Sequence, residues 1–273
     1  MIRMVDMKVT RFESLAYQAN EALNTLCTNL FFTGGDIKKI MVTSCHPQEG
    51  KSFVAMNLMR SLAGLGMKVV LVDADIRASA IQGVYGVQIT TADGQAYPGL
   101  TRYLAGRCQA DDIIGKTDIA NAWMILSGRN VTNSLPLLSS PRLKNLLDAL
   151  AKQFDVVLVD APPVGTIIDA AKIAGACDGT LFVVQSGGTS HQELSAAIQQ
   201  IEKTGCPILG SVLNKFDERQ YGDKYYYHKS YYASDVNRST RSSATGSKHA
   251  KNAGKTTAMS QRGDTSKSRQ GKH

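Results

Sequence analysis

A lysine beside a hydroxyl, with a glycine before them, can hold a phosphate chain and a hydrated divalent cation together. Residues 40–53 read Ile-Met-Val-Thr-Ser-Cys-His-Pro-Gln-Glu-Gly-Lys-Ser-Phe. Ile40 to Val42 is a short apolar run, and Gly50-Lys51-Ser52 opens an apolar helical pattern. Strand, loop and helix in that order are the setting of a P-loop. There, backbone N–H groups and a helix N-terminus cradle the phosphates, the lysine reaches the β and γ oxygens, and the hydroxyl binds Mg²⁺. The match to G-x-x-x-x-G-K-[ST] is incomplete, because Cys45 stands where the first glycine belongs. Taken alone, the stretch could also be a strand–helix turn that happens to contain Gly-Lys-Ser.

Two further stretches carry acids at matching places. Val69–Val72 runs into Asp73-Ala74-Asp75-Ile76-Arg77, and Val156–Val159 runs into Asp160-Ala161-Pro162-Pro163. Parallel strands buried on both faces read as continuous apolar runs. In open α/β sheets the chemistry lies beyond their C-terminal ends. Three such ends can converge as a phosphate cradle and two acidic corners for a hydrated metal ion. Each acid could singly be a turn or cap residue; three corners in one chain are hard to obtain by chance.

The elements that must position these groups follow from pattern. Apolar residues from Leu15 to Leu30 form a helical stripe, ended by Gly34-Gly35. Strands are expected at about 39–44, 68–72, 123–126, 155–159, 180–184 and 207–213. Helices are expected at about 50–65, from Pro141, over 168–176, and around Leu194, Ile198 and Ile201. Ser140 and Pro141 make a good N-cap and first helical position. Short helices are expected at 100–104 and 111–114. Residues 1–11 give little, 78–100 is weakly patterned, and Thr90–Gly94 reads as a loop. Alternating strands and helices predict a P-loop NTPase-like, doubly wound α/β fold with a mostly parallel sheet. The expected divisions are an N-terminal helical segment over 1–36, the main domain over 37–218, a tyrosine cluster over 219–233 and a basic tail over 234–273.

Composition separates the tail from the rest. Ser234 to His273 holds nine Lys/Arg and two Asp, whereas the preceding 233 residues hold 22 basic and 21 acidic side chains. The basic character therefore belongs to the tail, a Ser/Thr/Lys/Arg/Gly segment with almost nothing to bury, for which disorder is expected. No apolar run approaches the ~18–20 residues of a membrane span, and no signal peptide is evident. Five scattered cysteines, at 27, 45, 108, 177 and 206, contain no C-x-x-C pair and suit a reducing cytoplasm. Cys45, in the loop beside Lys51, could have a lowered pKa; an inert loop residue is the simpler reading.

Six of the ten tyrosines lie between residues 221 and 232: Tyr221, Tyr225, Tyr226, Tyr227, Tyr231 and Tyr232. Gly, Asp, Lys, His and Ser surround them. An edge strand, an aromatic surface or a base-stacking platform could use such a cluster. Many phenols in a polar segment attached to a nucleotide-site fold read best as phosphate acceptors.

Pro47-Gln48-Glu49-Gly50-Lys51-Ser52, Asp73-Ala74-Asp75-Ile76-Arg77, Asp160-Ala161-Pro162-Pro163-Val164 with Asp169-Ala170, and the tyrosine cluster together resemble the bacterial tyrosine kinases of capsule and exopolysaccharide synthesis. The resemblance covers about residues 15–232. It implies an ATP- and Mg²⁺-dependent protein-tyrosine kinase that autophosphorylates its C-terminal tyrosines in trans and regulates polysaccharide synthesis. It further implies a separate transmembrane activator, polysaccharide-synthesis proteins as substrates, and a cytoplasmic location at the inner membrane face. By resemblance, Lys51 holds the β and γ phosphates, and Pro47, Gln48, Glu49, Gly50, Ser52 and Phe53 complete the nucleotide loop. Asp73 accepts the tyrosine proton; Asp75, counted with the catalytic residues, joins Ser52 and Asp160 in holding Mg²⁺. Asn214 either reads the adenine edge or is a turn residue.

Three departures stand out. The family's N-terminal helix carries Glu-x-x-Arg-x-x-Arg, which builds a ring of subunits; here the positions are Glu21, Asn24 and Cys27. Ala78-Ser79 follows Arg77 where a proline is usual. The basic tail is outside the family pattern, and anionic membrane is its expected contact, ahead of nucleic acid. The runner-up reading is a partition- or division-site ATPase, a nucleotide-switched membrane- or DNA-binding module. Its signature lysine would stand at His46, which argues against it.

Overall fold

The computed structural model describes residues 5–32, 34, 36–165 and 168–216. One sheet of nine strands organises them: β1 (Val5–Val9), β2 (Lys39–Ser44), β3 (Val69–Asp73), β4 (Val87–Thr91), β5 (Gly115–Thr117), β6 (Ala122–Ile125), β7 (Val156–Asp160), β8 (Gly179–Gln185) and β9 (Ile208–Asn214). Their order across the sheet is β4-β1-β5-β6-β3-β7-β2-β8-β9. The β1–β4 and β5–β6 pairs are antiparallel and the rest parallel.

The central strands are apolar throughout because both faces are covered. Ile40, Val42, Val69, Leu71 and Leu158 pack with Val54, Leu58, Met59 and Leu62 of α2 (Lys51–Gly64), a layer that also takes Cys27 of α1 (Tyr17–Phe32). Their neighbours Met41, Val70, Val72, Val157 and Val159 point the other way. They meet Leu143, Leu146, Leu147 and Leu150 of α6 (Pro141–Gln153), Ala170 and Ile173 of α7 (Asp169–Ala174), and Ala197 and Ile201 of α8 (His191–Glu202). The period of two along each strand thus divides the core into two layers.

Helix ends follow their chemistry. Ser140 Oγ accepts from Arg142 N at 3.1 Å, with Pro141 at the first helical position. Ser190 and Glu193 form a reciprocal capping box on α8. α2 begins at Gly50, whose φ of 98° is open to glycine at little steric cost.

The short helices α3 (Ile81–Val84), α4 (Gly99–Leu104) and α5 (Leu135–Leu138) cover the loops beyond β3 and β6, with a 3-10 turn at Ala110–Asp112. Two expectations need correction. Thr90 and Thr91 end a strand instead of lying in a loop, and β1 and β5 were not foreseen. β1 does alternate, with Val5 and Met7 buried and Asp6 and Lys8 exposed. Its run is short and half charged, and pairing with β4 and β5 completes it.

Candidate active site

The sheet brings three loops to one edge. β2 delivers the loop 45–50, β7 beside it delivers Asp160, and β3 on the far side of β7 delivers Asp73, in register with Asp160. Asp75 follows two residues on. Asp73, Asp75 and Asp160 are at most 4% exposed.

Lys51 and Ser52 open α2 and turn toward these acids. Lys51 Nζ lies 3.0 Å from Asp75 Oδ2 and 4.0 Å from Asp160 Oδ1. Burial pulls the lysine's pKa down, but the charges of Asp160 and Asp75 outweigh it, and the net direction is upward. Ser52 Oγ donates to Asp160 Oδ2 at 2.5 Å. Asp75 Oδ1 accepts from Ala78 N at 3.1 Å.

Asp73 accepts from Ser79 Oγ and, at 3.5 Å, from Ser127 N. Burial, and then the charge of Asp160, push its pKa up to about 7, against the Ser79 bond. Burial likewise raises Asp160, opposed by Lys51 and Ser52. Asp73 Oδ1 and Asp160 Oδ1 are buried without a hydrogen-bond partner.

This donor set fits Mg²⁺. It consists of hard oxygens, it includes an orphaned carboxylate oxygen beside a hydroxyl, and its negative charges outnumber its one lysine. Among the described residues no three His, Cys, Asp or Glu side chains form a metal cage. Magnesium does not require one, since it is held by one or two carboxylates with waters and substrate phosphates.

The loop itself is braced from behind. The Glu49 carboxylate accepts from His46 N at 2.7 Å, from Thr189 Oγ1, and from Gln185 N at 3.4 Å. The side chain of Glu49 therefore holds the loop's shape. Asn214 Nδ2 donates to Glu49 O at 2.9 Å and occupies the space over Gly50, where a Cβ would lie 2.0 Å from it. Lys215 Nζ donates to Gln48 O at 2.7 Å and to Gln185 Oε1 at 3.1 Å. Gln48 has a φ of 65° and Phe53 is 41% exposed.

Cys45 is an inert loop residue, the simpler of its two readings. It is 1% exposed, and burial together with the charges of Glu49 and Glu193 pushes its pKa up to about 11, so Lys51 does not activate it. Cys27 is also buried and raised to about 11, and Asn24 Nδ2 donates to Glu21 Oε1 at 3.3 Å within the same helix. The tyrosine cluster and the basic tail lie outside the described residues.

Sequence reasoning missed Ser79, Ser127, Gln185, Thr189 and Lys215. Only two of them carried a signal: Ser79 replaces an expected proline, and Lys215 adjoins Asn214. Asp169 had been quoted with the acid–Pro–Pro corner but given no role. It accepts from Arg77 Nε at 2.8 Å and from Ser134 Oγ.

A lysine, a hydroxyl and buried acids at adjoining strand ends define a P-loop phosphoryl-transfer protein. Residues 37–207 match the family model described as AAA domain. The chain is similar to tyrosine-protein kinase CpsD of Streptococcus agalactiae serotype III, at 35% identity over 81% of this chain and 92% of that protein. Tyrosine-protein kinase CpsD of Streptococcus pneumoniae serotype 4 is 36% identical over 73% and 86%. Among solved structures, the kinase domain of Escherichia coli tyrosine kinase ETK superimposes with a TM-score of 0.64 at 27% identity, over 76% of this chain and 84% of that one. The chain belongs to the bacterial tyrosine-kinase family and is a protein-tyrosine kinase.

Proposed function

We propose that the chain moves the γ-phosphoryl group of ATP, with Mg²⁺, onto Tyr221, Tyr225, Tyr226, Tyr227, Tyr231 and Tyr232 of another copy, and thereby regulates capsular or exopolysaccharide synthesis. The observation that carries this reading is the convergence of Lys51, Ser52, Asp73, Asp75 and Asp160 at three adjacent strand ends. The described tyrosines leave little alternative as acceptors. Tyr85 and Tyr103 are at most 9% exposed, and the Tyr97 hydroxyl donates to Ile113 O at 2.7 Å, leaving Tyr17 as the one open phenol among them.

The backbone of 47–53 binds the phosphates and Lys51 neutralises them. Asn214, already seated on the loop, meets the adenine edge. Ser52, Asp75 and Asp160 would hold Mg²⁺, which neutralises charge on the phosphates when bound. In the transfer, the tyrosine oxygen forms a bond to the γ phosphorus, the bond from that phosphorus to the bridging oxygen breaks, and ADP leaves with the electron pair. Asp73 takes the phenolic proton. A pKa near 7 suits an acceptor that must be ionised yet still basic.

A separate transmembrane activator, itself in trans and polysaccharide-synthesis proteins are the proposed partners, at the inner membrane face. Among the described residues no helix is long and apolar enough to cross a membrane. The reading is tested by incubating the purified chain with Mg-ATP or with ATP and EDTA, with and without a candidate membrane activator. Magnesium-dependent phosphotyrosine is expected. ATP hydrolysis with no phosphotyrosine in any arm would favour a nucleotide-switched binding module and sink the kinase reading.

A further inference from the structure

Arg77 is held in an unusual way for a residue beside a phosphoryl-transfer site. Its Nε donates to Asp169 Oδ2 at 2.8 Å and to Ser134 Oγ at 2.6 Å. Both anchors are at most 1% exposed, and Ser134 Oγ also donates to Asp169. Asp169 Oδ1 has no partner, so its carboxylate depends on Arg77 and Ser134 for compensation. The Arg77 side chain is nonetheless 34% exposed, and its two terminal nitrogens make no hydrogen bond to the described residues. An arginine anchored through Nε alone keeps the planar fork that grips a carboxylate through two parallel bonds.

Strand order places this fork. Ser134 lies beyond β6, Arg77 beyond β3 and Asp169 beyond β7, whereas the phosphate loop follows β2 and Asn214 closes β9. A nucleotide with its phosphates on the loop and its base toward Asn214 presents its γ end to Asp75 and Asp160. By strand order Arg77, beyond β3 with Asp75, lies at the γ-phosphate side of the site, away from Asn214. The acceptor candidates are flanked by acids: Asp217, Glu218 and Asp223 surround Tyr221, and Asp223 lies two residues before Tyr225.

We propose that Arg77, fixed by Asp169 and Ser134, is an acceptor-positioning residue whose guanidinium fork, unpaired among the described residues, takes an acidic side chain flanking the tyrosine presented by a second copy of the chain. This rests on the kinase reading above. Asp169 and Ser134 act through Arg77, by holding it.

The test uses the full-length Lys51→Met chain as acceptor at varied concentration, with wild type, Arg77→Ala or Arg77→Lys as donor enzyme. Arg77→Ala should raise the acceptor concentration at half-maximal rate at least tenfold and change ADP affinity less than twofold. Arg77→Lys should restore the melting temperature by re-forming the Asp169 pair, yet not restore half-saturation, because an ammonium has no fork. Neutralising Asp217, Glu218 and Asp223 in the acceptor (Asn, Gln, Asn) should raise half-saturation similarly with wild type and add nothing with Arg77→Ala. Normal half-saturation in Arg77→Ala, an equal loss of ADP affinity, or full rescue by lysine would each overturn the proposal while leaving the kinase reading standing. No transfer by wild type at all would remove both.

Discussion

Replacing Asp73 by Asn should make the metal-free protein more stable at alkaline pH while impairing catalysis. Asp73 is 1% exposed, and burial with the neighbouring charge of Asp160 pushes its pKa up to about 7. The native state therefore binds the proton more tightly than the unfolded chain. Stability from that proton is complete below the unfolded value of about 3.9 and is lost as pH rises through about 7. At ~1.4 kcal/mol per unit, the full loss by pH 8 is about 4 kcal/mol. Water penetration and local relaxation at a polar site reduce it, and about 2 kcal/mol is a reasonable lower figure. Asparagine keeps an acceptor for Ser79 and Ser127 and removes the charge. Urea unfolding in EDTA should then find Asp73→Asn about 2–4 kcal/mol more stable at pH 8, with the gap mostly closed at pH 4.5. In the presence of Mg-ATP the same variant should lose at least about tenfold in transfer rate, the low end of a general-base effect. An Asn variant no more stable than wild type at pH 8, or a stability difference that ignores pH, would refute the picture of a strained acid.

Two further outcomes follow from the site and the tail. Lys215→Ala removes the charged donor on Gln48 O and should weaken ADP binding about tenfold, since a hydrogen bond from a charged group contributes ~1.5 kcal/mol or more; calorimetry with an unchanged dissociation constant would show the brace to be idle. Deleting 235–273 should leave phosphoryl transfer unchanged and weaken binding to anionic vesicles, where each Lys/Arg contributes on the order of 1 kcal/mol; equal vesicle binding at low salt would remove the tether role.

The sequence disclosed those parts of the fold whose burial is two-sided. Val69–Val72 and Val156–Val159 announce themselves because every side chain is apolar, and the acids that end them are then conspicuous. β1 and β4 were obscure for the opposite reason: half their side chains face solvent, and their partners lie far away in the chain. Lys51, Ser52, Asp75 and Asp160 were legible because a short motif or a strand end fixes their place. Ser79, Thr189 and Lys215 were not, because what they hold is set by tertiary approach. Thr189 lies 140 residues from Glu49, and no local pattern records that contact. For Cys45 the sequence left activation by Lys51 open beside the simpler inert reading, because neighbourhood in sequence says nothing about which way each side chain turns; the structure bears out the inert one. Its thiol faces the core while the ammonium faces Asp75.

The central claim is that buried acids and Lys51 serve transfer to the clustered C-terminal phenols. The most direct measurement is phosphotyrosine mapping by mass spectrometry on the full chain after incubation with Mg-ATP. Lys51→Met and a chain with all six clustered tyrosines replaced by Phe serve as companions. Phosphate confined mainly to Tyr221–Tyr232, absent from Lys51→Met, and largely lost in the Phe chain with ADP binding retained, is the expected result. Phosphate on serines, on Tyr17, Tyr85, Tyr97 or Tyr103, or persisting in Lys51→Met, would contradict it.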